Sequence, residues 1–153
     1  MLKVGEKAPD FILPSTNDTD FHLYEHQKGK PCILFFYPKD FTPGCTREVC
    51  AFRDQFEIFR NSSVDVFGIN FDSVSSHKKF KVSNDLPFEL LTDAKGEIIK
   101  KYHAKLPFVN LTKRVTYLLD ANQKILAIYN DLFAARNHVF KMLENLDLKI
   151  EKF

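Results

Sequence analysis

Cys32-Ile33-Leu34-Phe35-Phe36-Tyr37-Pro38-Lys39-Asp40-Phe41-Thr42-Pro43-Gly44-Cys45-Thr46-Arg47-Glu48-Val49-Cys50 is the stretch from which the rest of the chain can be read. Its first six residues are apolar without a break and lie between Pro31 and Pro38. Such a run, with no polar alternation, suits a central strand buried on both faces. Pro43-Gly44 then punctuates, and the period changes. Apolar residues recur at Cys45, Val49, Phe52, Phe56 and Phe59, the spacing of one helical face that begins near Cys45.

Outward from this unit the elements alternate. Toward the N-terminus, Phe11-Ile12-Leu13 and Phe21-His22-Leu23 are short apolar pieces separated by turn-rich polar residues, and they predict a hairpin. Toward the C-terminus, Val64 to Phe71 reads as a second buried strand and Ser73 to Ser83 as a helix capped by Ser73. Asp93 is expected to cap another helix carrying Ile98, Ile99 and Tyr102. Val115 to Leu119 and Lys124 to Tyr129 predict two strands joined by a turn at 120–123. A last helix is expected from about Ala134 to Leu146, with Val139, Met142, Leu143 and Leu146 on one face. After the hairpin the order is therefore strand, helix, strand, one or two helices, strand, strand, helix. That order predicts an α/β sandwich of thioredoxin-like fold, a central mixed β-sheet flanked by helices with an N-terminal β-hairpin.

Bulk composition narrows the function. The 153 residues suit a single domain, 1–153, with one substantial core. With 22 basic and 20 acidic residues the net charge is +2, and no dense basic stripe exists to neutralise phosphates, which argues against nucleic-acid binding. No apolar run approaches the roughly 18 residues of a membrane span. Met1 to Lys7 has no apolar core of a secretory signal, so a cytoplasmic protein is expected. Five scattered histidines and three cysteines lack the close spacing of a zinc site, and neither metal nor cofactor is expected.

Cysteines at 32, 45 and 50 form an odd set in a chain too long for a disulfide-stapled scaffold, so they read as catalytic thiol, ligand or apolar filler. Cys45 stands where a buried strand has turned and a helix begins. There it meets unpaired backbone N–H donors and the positive end of the helix dipole, both of which favour thiolate over thiol. Ionisation alone gains only about thirtyfold in nucleophile concentration at neutral pH. Further rate must come from donors aimed at the atoms on which charge develops: first-turn N–H groups, the Thr42 hydroxyl and an arginine from elsewhere in the fold. Cys50 lies about 140° around the helix from Cys45, off the apolar stripe, which is a poor place for packing filler. On an intact helix the two Cα atoms would be roughly 8.6 Å apart. A disulfide needs about 7 Å or less, so a Cys45–Cys50 bond requires the first turns to unwind. Cys32, at the start of the buried strand, reads as structural.

These residues resemble the peroxiredoxins. Pro38, Thr42 and Cys45 match the family's Pro-x-x-x-Thr-x-x-Cys signature. The wider stretches Phe36 to Asp40 and Thr42 to Thr46, with a second cysteine five positions on, are similar to the peroxiredoxin Q (bacterioferritin comigratory protein) branch. So are Phe71-Asp72-Ser73-Val74, Leu86-Pro87-Phe88, Leu91-Thr92-Asp93 and Arg114-Val115-Thr116-Tyr117. The resemblance implies a thiol peroxidase that reduces hydrogen peroxide and organic hydroperoxides in antioxidant defence by an atypical 2-Cys mechanism. Cys45 would be the peroxidatic cysteine, oxidised to sulfenic acid, and Cys50 the resolving cysteine, forming an intramolecular disulfide with it. Thioredoxin or a similar dithiol reductant would restore both thiols. Arg114 matches the arginine that binds peroxide, Thr42 the threonine that contacts sulfur and peroxide, and Pro38 the proline that shields the pocket. The branch is often monomeric, and a monomer is expected.

Phe41, where a small or polar residue is usual, and Asn70, where serine is expected, depart from the pattern. Three other readings stay open: a one-Cys peroxidase in which Cys50 does not resolve, a thiol-disulfide oxidoreductase of the same fold, and a binding module with incidental cysteines. The second is disfavoured by Cys-x-x-x-x-Cys spacing in place of Cys-x-x-Cys.

Overall fold

The first polar-rich stretch folds back on itself: β1 (Ile12–Pro14) and β2 (Asp20–His22) pair antiparallel, and one helical turn, α1 (Leu23–His26), follows. In this computed structural model, which describes residues 2–132 and 134–149, the predicted central run becomes β3 (Cys32–Phe36), with all five residues buried. α2 (Pro43–Asp54) and α3 (Phe56–Asn61) cross to β4 (Asp65–Asn70), which lies parallel to β3. α4 (Val74–Ser83) leads to β5 (Glu89–Thr92), parallel to β4, and α5 (Glu97–Lys101) follows. β6 (Val115–Leu119) returns antiparallel on the other side of β3, and β7 (Ile125–Asn130) forms the edge before α6 (Ala135–Lys149). The sheet order is β5-β4-β3-β6-β7, so β3 is central and the sheet is mixed.

The two faces of β3 feed two cores. Cys32, Leu34 and Phe36 pack with Phe11, Tyr102 and Tyr117 on one side. Ile33, Phe35 and Tyr37 pack with Cys45, Val49, Phe52, Phe59 and Phe80 under the helices on the other. This follows from the two-residue period of a strand, and it places Cys32 and Cys45 on opposite sides of the sheet. Phe35 stacks on Phe52 with centroids 4.5 Å apart. Phe35 fits because Gly68 lies across from it on β4, where a Cβ would come within 2.7 Å of the ring.

Three details differ from expectation. β5 was not anticipated, because its four residues are too few to show a period. The helical stripe through Phe59 is not one helix: the chain breaks at Gln55, whose amide reaches both Ala51 O and Arg53 O, and Phe59 is buried from a second helix. Position 96, a glycine in the left-handed region, occupies the N-cap of α5, and Asp93 acts from three residues earlier by accepting the Ile99 N–H at 2.8 Å. Ser73 does cap α4, accepting from Ser76 N at 3.1 Å. Of the face expected on the last helix, Val139 and Met142 are buried and Leu143 is half-buried, while the Leu146 side chain lies outside the described residues. No helix among the described residues is long and apolar enough to cross a membrane.

Candidate active site

β3 ends at Tyr37, and the chain turns through Pro38 to Thr42 before α2 starts. Thr42 is extended (φ −81°, ψ 149°) and occupies the N-cap, with Pro43 as the first helical residue, where its missing N–H costs nothing. Cys45 is therefore the third residue of α2. Its thiol is buried in the core under the helices, beside the first-turn N–H groups that have no intrahelical acceptor.

Arg114, 69 residues away in sequence, immediately precedes β6, the neighbour of β3. This adjacency brings its Nη2 to 3.5 Å from Cys45 Sγ. Its Nε donates to Leu132 O at 3.0 Å, which fixes the plane of the guanidinium. Gly44 leaves the approach open, since a Cβ there would sit 3.1 Å from Arg114 Nη2. Pro38 and Thr42 are half-buried at the same end of the sheet. The Thr42 hydroxyl donates to Lys39 O at 2.8 Å, so its hydrogen is engaged with the turn and its oxygen remains an acceptor.

Two buried polar groups behind this end were not singled out from the sequence. Glu48 is wholly buried, and its Oε1 lies 3.4 Å from Arg114 Nη1, close enough for attraction but not aligned as a hydrogen bond. Burial pushes its carboxyl up to about 8, against the pull of Arg114. His138 is not a counter-ion: its Nδ1 faces the Thr116 hydroxyl at 2.8 Å and its Nε2 donates to Asp131 O at 2.8 Å. Burial holds it down to about 4, so the ring is neutral. A signal for Glu48 did exist, because it falls only about 60° from Cys45 on the helical wheel, on the apolar side.

The second group is Asp40, in the middle of the signature turn. Its Oδ1 accepts from Tyr37 Oη at 2.6 Å and Asn70 Nδ2 at 3.4 Å, and its Oδ2 from Ser76 Oγ at 2.8 Å and His77 Nδ1 at 2.7 Å. His77 Nε2 faces Leu91 O at 3.1 Å. Burial pushes the Asp40 carboxyl up, but the hydrogen bond and charge of His77, with the Tyr37 and Ser76 bonds, more than offset it and hold it below the usual range. The Asp40 amide donates to Asp72 Oδ2 at 2.7 Å, and Asn70 spans both carboxylates. Asn70, unusual for the pattern, is thus a crosslink within the turn's support. Phe41, the other departure, adopts φ 65° and lies against Phe80 of α4 with centroids 5.1 Å apart.

Cys50 sits on a different side of α2, half-buried, with its Sγ–H donating to Asn84 Oδ1 at 3.5 Å. None of the three cysteines is in a disulfide. Burial drives the Cys32 thiol well above its ordinary range. Among the described residues no cluster of three His, Cys, Asp or Glu side chains is placed to hold a metal.

Known proteins resemble the chain over most of its length. Residues 4–128 match the AhpC/TSA family. The chain is 39% identical over 143 residues to the chloroplastic peroxiredoxin Q of Oryza sativa subsp. japonica, covering 93% of this chain and 65% of the rice protein. It thus spans just under two thirds of the length of that relative. It is 40% identical over 134 residues to a putative peroxiredoxin bcp of Coxiella burnetii, covering 84% of this chain and 88% of the other. The crystal structure of peroxidoxin BcpB from Mycobacterium tuberculosis superposes with a TM-score of 0.91 at 32% identity, covering 97% of this chain and 99% of that one.

Proposed function

This chain belongs to the AhpC/TSA family, and from that premise we propose that it is a thiol peroxidase with Cys45 as the attacking sulfur. The observation that carries the reading is the placement of a buried thiol in the first turn of α2 with a fixed guanidinium 3.5 Å away. The Cys45 thiolate attacks one oxygen of a hydroperoxide. An S–O bond forms, the O–O bond breaks, and the departing oxygen takes a proton to leave as an alcohol, or as water from hydrogen peroxide. Sulfur is oxidised to sulfenic acid and the peroxide is reduced.

Arg114 and the first-turn N–H groups are aimed where negative charge develops on the two oxygens, the arrangement that contributes most to such a step. Pro38 shields the pocket, and the Thr42 oxygen accepts the hydrogen of the incoming hydroperoxide. Cys50 then attacks Cys45 Sγ. An S–S bond forms, the S–O bond breaks and water leaves. A dithiol such as thioredoxin reduces the disulfide, which requires a reducing compartment, and we place the protein in the cytoplasm as a monomeric single domain, 1–153. Cys32, across the sheet and buried, takes no part.

The test is one equivalent of peroxide on reduced protein, followed by thiol blocking and trypsin. Cleavage after Lys39, Arg47 and Arg53 separates the two cysteines. Peptides 40–47 and 48–53 should emerge joined, and Cys45→Ser should abolish peroxide-dependent oxidation of thioredoxin. Retained turnover in that variant would reject Cys45. Unlinked peptides with full turnover would favour the one-Cys reading.

A further inference from the structure

Resolution by Cys50 requires α2 to open, so whatever holds Cys50 in its wound position controls that step. Both ends of the segment are tied to α4. Upstream, Asp40 is bonded to Ser76 and His77 in the first turn of α4. Downstream, the ties converge on one residue, Asn84, the C-cap of α4. Its side-chain oxygen accepts the Cys50 thiol hydrogen at 3.5 Å, and its main-chain oxygen accepts from Arg53 Nη1 at 2.8 Å. Residues 50 and 53 share a helical face, so two acceptors on one residue hold two points on α2. Asn84 is itself anchored, with Nδ2 donating to Phe80 O at 3.0 Å.

Resting on the peroxidase reading above, we propose that Asn84 is a positioning residue that parks Cys50 and sets the rate at which it reaches oxidised Cys45. The chemistry fixes the direction. The amide oxygen only accepts, so it binds the thiol and has nothing to offer the thiolate. Attack needs the thiolate. Cys50 must release its proton and leave Asn84 before its sulfur forms the S–S bond, the Cys45 S–O bond breaks and the departing hydroxide takes up a proton as water. Cys50 opens onto a shallow hollow lined by Arg47, Ala51, Asp54 and Arg136, which gives that proton a route to solvent. The break at Gln55 lets α2 unwind without pulling the buried Phe59 of α3 from the core.

Asn84→Ala and Arg53→Met test this separately, and the second leaves α4 untouched should the first fold poorly. Reduced protein is mixed with one equivalent of hydrogen peroxide and quenched at intervals with dimedone and an alkylating agent. Intact masses then give sulfenic acid and disulfide against time. Sulfenic acid should form at the parental rate in both variants. Disulfide should form about 3- to 10-fold faster in Asn84→Ala, the gain expected from releasing one modest hydrogen bond, and faster by a smaller factor in Arg53→Met. Excess peroxide should convert less Cys45 to sulfinic acid in both. Unchanged or slower disulfide formation in both variants would overturn the role of Asn84. Absence of a Cys45–Cys50 disulfide in the parent protein would instead overturn the resolving role of Cys50, and this inference with it, whereas absence of Cys45 sulfenic acid would overturn the peroxidase reading itself.

Discussion

Arg114 is the residue on which the rate of the proposed first step depends most. It supplies a buried positive charge beside Cys45 whose orientation is fixed by Leu132 O before peroxide arrives. Arg114→Met should therefore slow peroxide reduction by about 10²- to 10³-fold, as loss of a donor at a developing charge does. Single-turnover kinetics on Cys45 would measure this. Glu48 behaves differently, because its influence is on stability. Its folded carboxyl titrates at about 8, above the ordinary 4.5, so the folded state binds a proton more tightly than the unfolded state. The stability linked to that proton is fully present below pH 4.5 and is lost as pH rises to about 8. Glu48→Gln keeps the shape and removes the titration. Urea denaturation across that window should show the parent losing stability relative to the variant, by on the order of a few kcal/mol. A constant difference would mean that Arg114 holds Glu48 ionised throughout.

At the scale of elements, the signature turn is held by α4 as much as by its own sequence. Asp40→Asn should cost about 1–3 kcal/mol, because an amide has a single acceptor oxygen where the carboxylate takes four donors, and it should slow Cys45 oxidation by loosening Pro38 and Thr42. Chemical denaturation and single-turnover rates would check the two effects. The same comparison shows what could be read from the chain. β3 and the start of α2 were legible because an unbroken apolar run and a Pro-Gly junction are strong local signals. Ser73 was legible as a cap for the same reason. β5 was not, since Glu89–Thr92 is a strand only by virtue of pairing with β4. The break at Gln55 was hidden because the apolar positions on either side keep helical spacing across it. Cys45, Cys50 and Arg114 could be named through the resemblance. Asp40 could not, because its partner His77 lies 37 residues away, and for Glu48 the helical wheel signals burial but not the partner, 66 residues away.

At the scale of the whole molecule, the sheet separates one thiol from the chemistry. Cys32 and Cys45 occupy opposite cores, so Cys32→Ala should leave peroxide turnover unchanged and cost roughly 1 kcal/mol of stability, like deletion of a small buried group. Turnover and denaturation of that variant would check both. The central claim, that Cys45 is the sulfur which takes oxygen from peroxide, is tested most directly by trapping the sulfenic acid. Cys50→Ser cannot close the proposed disulfide, so one equivalent of hydrogen peroxide in the presence of dimedone should leave the label at Cys45 in peptide 40–47 and nowhere else. Label on Cys32, or none at all while peroxide disappears, would contradict the account.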